Sequence, residues 1–325
     1  MLMSFDDVAK EIKAGGRLAL AGDEALLGKL PRGSWVGGTI PYFMGQNGGE
    51  ESRDKIFVQR LPESVEEVEI QLYNTNSISS VSTDSPENGF TILLIPALSK
   101  IHLDYAAHAP NYENMYLKPI IGWIAGVHLD DLGKVTPKVI NGLTGETADD
   151  KAAALHARLP ANKAANIGIV NLFKQGNGDV ITFPETGFSA VEANIGGTRR
   201  NLADYIAEKG LDTRLPLVAD YQGAMINVSF QNIDEEKRQT NFYAPVFSGI
   251  EYRLAAPVND YVSEFQSCVP TGVDHISFSC NCILNYLYSE LNGKRTANMT
   301  GPMTFGEVAY QLLNQTMVYL RVEPV

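Results

Sequence analysis

The stretch VDHISFSCNCILNYLYSEL, residues 273–291, changes its hydrophobic period in the middle. The apolar run His275-Ile276-Ser277-Phe278-Ser279 reads as a buried strand. Ile283, Leu284, Tyr286, Leu287 and Leu291 then recur at helical spacing. Cys280-Asn281-Cys282 lies at the junction. At such a junction free backbone N–H groups and the positive end of a helix dipole gather, a natural place for an anion, a ligand carboxylate or a reactive thiolate. Free cysteines are also among the most often buried residues, so two small core side chains fit the same pattern.

Outward from this elbow, Pro257-Val258-Asn259-Asp260 starts a helix that ends near Cys268, and Thr304-Phe305-Gly306-Glu307 has the form of a capping box, which predicts a helix to about Gln315. A last strand is expected over 317–322. Toward the amino terminus, a capped helix is predicted over 6–13 and strands over 17–21, 34–40, 55–60, 65–73, 90–96 and 118–127. Two of these carry glycines, Val36-Gly37-Gly38-Thr39 and Ile121-Gly122-Trp123. Glycine within a strand marks a bulge or a place where another backbone or a ligand comes close. Helices are predicted over 97–107, 149–159 and 199–209. Residues 165–173 and 179–183 read as a hairpin across Lys174-Gln175-Gly176-Asn177-Gly178, and further strands fall at 215–220, 224–230, 241–247 and 251–254. Beyond a faint likeness of the two glycine-bearing strands, the sequence shows no internal repeat.

Strands outnumber helices and several are joined by hairpins, with little regular strand–helix–strand alternation. The expected fold class is therefore α+β, mixed or antiparallel sheets with flanking helices. A length of 325 residues allows two regions, drawn at 1–134 and 135–325.

The formal charge of −12 and pI near 4.9 disfavour nucleic acid and anionic lipid as partners. Three cysteines are too few for a disulfide framework. The start, MLMSFDDVAKEIKAGG, lacks the basic and apolar segments of a signal peptide, and no apolar run approaches the roughly eighteen residues of a membrane span. A cytoplasmic setting is expected.

No metal-ligand spacing appears, since CxC stands without a CxxC or HxxxH to support it, and no cofactor motif is present. Asn194-Ile195-Gly196-Gly197-Thr198-Arg199-Arg200 could cradle an anion at a helix start or simply cap a helix with solvated arginines. Nucleophilic catalysis would need Cys280 or Cys282 as the attacking thiol, His275 as base and Asp274 or Asp220 as orienting acid. His275 and Cys280 are an odd number apart, so on one strand they face opposite sides, which weakens that arrangement. Asp220-Tyr221-Gln222-Gly223 reads as a polar turn able to meet a ligand or merely to reverse the chain.

Four places carry a resemblance to FIST sensory proteins. Val36-Gly37-Gly38-Thr39 resembles the Gly-rich strand end of the N-terminal FIST region, and Pro119-Ile120-Ile121-Gly122-Trp123-Ile124-Ala125-Gly126 its second Gly-rich strand. Asn141-Gly142-Leu143-Thr144-Gly145-Glu146, with the Ala-rich segment after it, is similar to the opening of the C-terminal region. Residues 276–280 followed by Gly306-Glu307-Val308-Ala309 are similar to its closing "SC … GE(I/V)A" pattern. The N-terminal region is shorter than usual, and Cys282 adds a second thiol.

The resemblance implies a sensory, signal-transduction protein that binds a small molecule such as an amino acid or carboxylate and acts through a signalling partner or a homo-oligomer. The ligand is expected between the two regions, lined by Gly37, Gly38, Thr39, Gly122, Trp123, Cys280, Asn281 and Cys282, with no metal and no catalysis. The alternative is a cysteine-dependent hydrolase or transferase built on Cys280 or Cys282.

Overall fold

The period change after Phe278 marks a real elbow. In the computed structural model, which describes residues 1–221, 223–269 and 276–325, Ile276–Cys282 is a strand, Ile283–Tyr288 a helix beginning at once, and Gly301–Thr304 a strand that returns parallel to the first. The same strand–helix–strand unit occurs twice more. Leu18–Gly22, helix Glu24–Leu27 and Trp35–Thr39 form one; Gly89–Pro96, helix Lys100–His108 and Ile120–Ala125 form the other. Both strand pairs are parallel. Their sequences, LALAG, WVGGT, GFTILLIP and IIGWIA, are buried throughout, as strands covered on both faces should be.

Each parallel pair is the centre of a six-stranded mixed sheet. Beside the first strand of each pair lies an antiparallel strand: Ile56–Arg60, Ala152–Arg158 and Met317–Pro324 respectively. Beyond it lies an outer strand: Leu2–Met3, Glu67–Tyr73 and Lys163–Val170. Beside the second strand lies a hairpin, and that hairpin always comes from another unit. Tyr42–Gly45 with Gly48–Glu51, from the first unit, pairs with Gly301–Thr304 of the third. Val139–Asn141 with Glu146–Ala148, from the second, pairs with Trp35–Thr39 of the first. Glu307–Ala309 with Gln311–Leu313, from the third, pairs with Ile120–Ala125 of the second. The three sheets thus repeat one topology in cyclic order, with each unit lending a hairpin to its neighbour.

The sheets share one interior, where Ala19, Val36, Ile92, Trp123, Phe278 and Met303 meet. Their opposite faces bury separate layers. Val8 and Ile12 of helix Phe5–Lys13 cover Leu18, Leu20 and Trp35, while Ile101 and Tyr105 of helix Lys100–His108 belong with Leu93, Ile95 and Ile124. Between Lys163–Val170 and helix Tyr261–Cys268 the chain builds a further β-rich segment, with a six-stranded and a three-stranded sheet and helix Leu202–Lys209.

The α+β class with mixed sheets stands; the regions 1–134 and 135–325 do not correspond to separate sheets, because each of the three sheets built on a parallel pair takes strands from both. Four expectations are corrected. Residues 149–159 contain no helix: Ala152–Arg158 is a strand paired on both sides. The capping-box sequence at 304–307 leads into the short hairpin Glu307–Leu313 instead of a helix, with Tyr310 at φ +65° in its turn. The strands Lys163–Val170 and Ile181–Thr182 lie in different sheets and do not form a hairpin. Residues 198–201 extend as a strand, so the helix begins later, capped by Asn201. His275, Asp274 and Gln222 lie outside the described residues.

Candidate functional site

The glycines place the expected site residues in a packed seam between sheets. A Cβ on Gly122 would stand 1.7 Å from the Leu93 carbonyl oxygen, one on Gly38 2.7 Å from Trp123 Nε1, and one on Gly37 2.9 Å from the Trp35 ring. Trp123 stacks on Phe278 with centroids 5.7 Å apart, and the Cys280 thiol donates to the Gly122 carbonyl at 3.2 Å. Asn281 accepts a hydrogen bond from Asn285 Nδ2 (2.9 Å), and Cys282 occupies the N-cap of helix Ile283–Tyr288 without a side-chain capping bond. The structure therefore brings Gly38 to Trp123 and Gly122 to Cys280, as close sheet packing rather than as a ligand wall.

Thr39 is different. It stands at the carboxyl end of its strand, where open parallel sheets present their ligand crevices, and it borders a cleft of about 790 Å³. Its Oγ1 accepts from the Lys138 N–H (2.9 Å), and its carbonyl accepts from the Gly126 N–H (2.7 Å), which fixes three chain segments at the cleft floor. Helix Glu24–Leu27 forms one wall, and Arg53 and Asp131 lie on the lining as well.

The lining is charged in both signs. Lys138 Nζ meets Glu24 Oε1 at 2.5 Å and Arg53 Nη1 meets Asp131 Oδ2 at 2.8 Å. His128 Nε2 meets Glu51 Oε1 at 2.6 Å, and its ring stacks on Tyr42 with centroids 5.5 Å apart. Lys29 lines the cleft without an ion pair among the described residues. A guanidinium carries five donors and an ammonium three. With one partner each, Arg53 and Lys138 keep donors for a guest carboxylate, while Asp23 and Asp149 offer acceptors.

The thiols sit in the opposite electrostatic setting. Burial, with Glu307 nearby, pushes Cys280 and Cys282 well above the ordinary thiol range, away from the depressed values of activated nucleophiles. Glu307 is fully buried. Its Oε2 accepts from the Thr316 hydroxyl (2.7 Å) and backbone N–H (3.2 Å), Cys282 lies within hydrogen-bonding reach, and Oε1 has no partner. Burial raises its carboxyl to about 8, so at neutral pH it holds its proton. Residues 280–282 and 306–307, far apart in sequence, are thereby joined.

The remaining polar motifs have local roles. Gly196 and Gly197 turn a hairpin; Arg199 pairs with Glu192 (2.5 Å), and Arg200 pairs with Glu208 and lies over the Tyr205 ring. Asp220 accepts from the Gly223 N–H at 2.6 Å in the turn between Leu217–Tyr221 and Ala224–Val228. Among the described residues no group of His, Cys, Asp and Glu is placed to hold a metal ion, and no helix is long and apolar enough to cross a membrane.

Sequence reading missed Arg53, His128, Asp131 and Lys138, because they converge only through the hairpin exchange between units. One signal was present: Thr39 stands just before Ile40-Pro41, which ends its strand. No curated protein matches the chain. A family model described as a family of unknown function (DUF6976) matches residues 3–323, and the chain belongs to that family.

Proposed function

We propose that this protein binds a small polar metabolite, an amino acid or a carboxylate, in the Thr39 cleft, and that it does so as a sensor rather than as an enzyme. The observation that carries the reading is the cleft itself, a recess at the ends of parallel strands where Arg53 and Lys138 retain unspent donors beside acidic acceptors. A guest with a carboxylate takes a charge-assisted bond from either cation without leaving a buried charge unmatched. The resemblance to FIST sensory proteins supports the same reading, together with its signalling partner or homo-oligomer and its cytoplasmic setting. The guest's place moves from the glycine seam to the cleft beside it.

A thermal-shift screen of amino acids and small dicarboxylates tests this. A true ligand at free concentration c stabilises the fold by RT ln(1 + c/Kd), about 2.7 kcal/mol at a hundredfold excess over Kd, and raises the Tm with the logarithm of its concentration. Arg53→Gln with Lys138→Gln should abolish the shift. A panel without any shift, or a shift that survives the double variant, rejects the cleft as the site.

A further inference from the structure

We propose that Cys282 and Glu307 form a second site, closed by helix Tyr261–Cys268, in which the thiol meets a small uncharged electrophile only when that helix lifts. Three independent features lead there. Cys282 ends the first strand of the third unit, the topological counterpart of Gly22, whose chain neighbour Asp23 lines the open Thr39 cleft. In the third unit this strand end is covered. Tyr261 and Phe265, four residues apart on one face of the helix, are buried with rings 5.7 Å apart, and the Tyr261 hydroxyl lies against Asn281 with Cys282 and Glu307 nearby.

The covered groups are only half spent on the fold: Glu307 Oε2 and Asn281 Oδ1 have partners within it. Glu307 Oε1, Asn281 Nδ2 and Asn285 Oδ1 are buried without hydrogen-bond partners, and their residues are 0%, 4% and 2% exposed. Buried polar atoms are nearly always satisfied, so three orphans around one strand end call for an explanation. They are atoms held in reserve: once the helix lifts, a guest can accept from Asn281 and donate to Asn285. No lysine or arginine is among the groups acting on the Cys282 thiol, which argues against an anionic guest.

The cover is a single helix of eight residues, seated by Tyr261 and Phe265 and approachable from its outer side. Its exposed side carries Ser263, Gln266, Ser267 and Cys268, and a cleft of about 520 Å³ opens beside Tyr261, between residues 258–262 and residues 288–290 with Lys294. Short elements at the surface open locally below the free energy of global unfolding. On opening, water reaches Glu307 and its carboxyl ionises more readily. The carboxylate then takes the Cys282 proton as sulfur forms a bond to the electrophilic carbon and the leaving group departs with its electron pair.

Iodoacetamide, which forms the S–C bond and releases iodide, tests this on the full chain at mildly alkaline pH with peptide mapping of all three cysteines. Exposed Cys268 should react first. Cys282 should then react at least about tenfold faster than Cys280, at a rate insensitive to low urea, as local opening requires. Tyr261→Ala should speed Cys282 about tenfold without moving Cys280, and Glu307→Gln should slow Cys282. If Cys280 and Cys282 label together with the urea dependence of global unfolding, or neither labels, the site does not exist. The wild-type urea dependence decides this even if Tyr261→Ala fails to fold.

Discussion

Glu307 is where the burial of a single group has its sharpest consequence for pH. In the unfolded chain its carboxyl titrates near 4.5, in the fold near 8. Between these values the unfolded state has released the proton while the folded state still holds it. The contribution of Glu307 to stability therefore falls as pH rises through that window and is level on either side. The full shift corresponds to a loss of up to about 5 kcal/mol. Glu307→Gln keeps the shape and the Thr316 contact but removes the titration. The wild-type urea midpoint should decline relative to the variant's across the window; the opposite slope below about pH 6.5, from His102 and His156 held neutral by burial, is common to both. Parallel profiles would mean that Glu307 is ionised in the fold at neutral pH. The residue scale also shows why the site was only partly legible. Glycines at 37, 38 and 122 announce close approach; what approaches is the Trp35 ring of the same strand, Trp123 of the neighbouring sheet and the Leu93 carbonyl of the paired strand, and no local pattern distinguishes a ligand from such packing.

Elements were legible where the local pattern and the tertiary setting agree. The elbow at 276–288, the capped helix Phe5–Lys13 and the buried strand Gly89–Pro96 follow their hydrophobic periods. The failures are places where the setting overrides propensity. Ala152-Ala153-Ala154 favours a helix in isolation, yet in the fold small side chains are what a strand needs between two partners with both faces buried. His156 on the same strand confirms its depth: its Nδ1 lies 2.7 Å from Thr91 Oγ1 and its Nε2 2.9 Å from the Tyr73 hydroxyl, tying all three strands together. Burial lowers this imidazole to about 4, so it stays neutral at ordinary pH. The strand assignment makes a strong prediction. Ala154 pairs with Gln71 on one side and Leu93 on the other, so Ala154→Pro removes a donor from the middle of a sheet and should cost at least about 3 kcal/mol. A near-normal urea midpoint in that variant would show that residues 152–158 are not an inner strand.

The whole molecule was the least legible scale, because its repeat lies in topology and not in residues. Strand ends as different as Gly22, Pro96 and Cys282 occupy one position of the cycle, as do Thr39, Ala125 and Thr304. Two crossings between sheets are made by the continuous chain: from Arg60 to the outer strand Glu67–Tyr73, and from Arg158 to the outer strand Lys163–Val170. The third crossing would run from Met317–Pro324 to Leu2–Met3, and cyclic equivalence requires these ends to lie one such crossing apart. A Gly/Ser linker of about eight residues should therefore join Val325 to Met1 without strain. New termini can be opened at Ala161 and Asn162, which are exposed in the turn after Ala152–Arg158, the kind of place where a cut is tolerated. The permuted chain should fold with a far-ultraviolet spectrum like that of the parent and unfold in one transition. Retention of the Thr39 cleft would show as the same ligand-induced shift in Tm. If instead the permutant folds only with a linker several times longer, the ends do not meet as the other two crossings do, and the threefold order stops short of the outer strands.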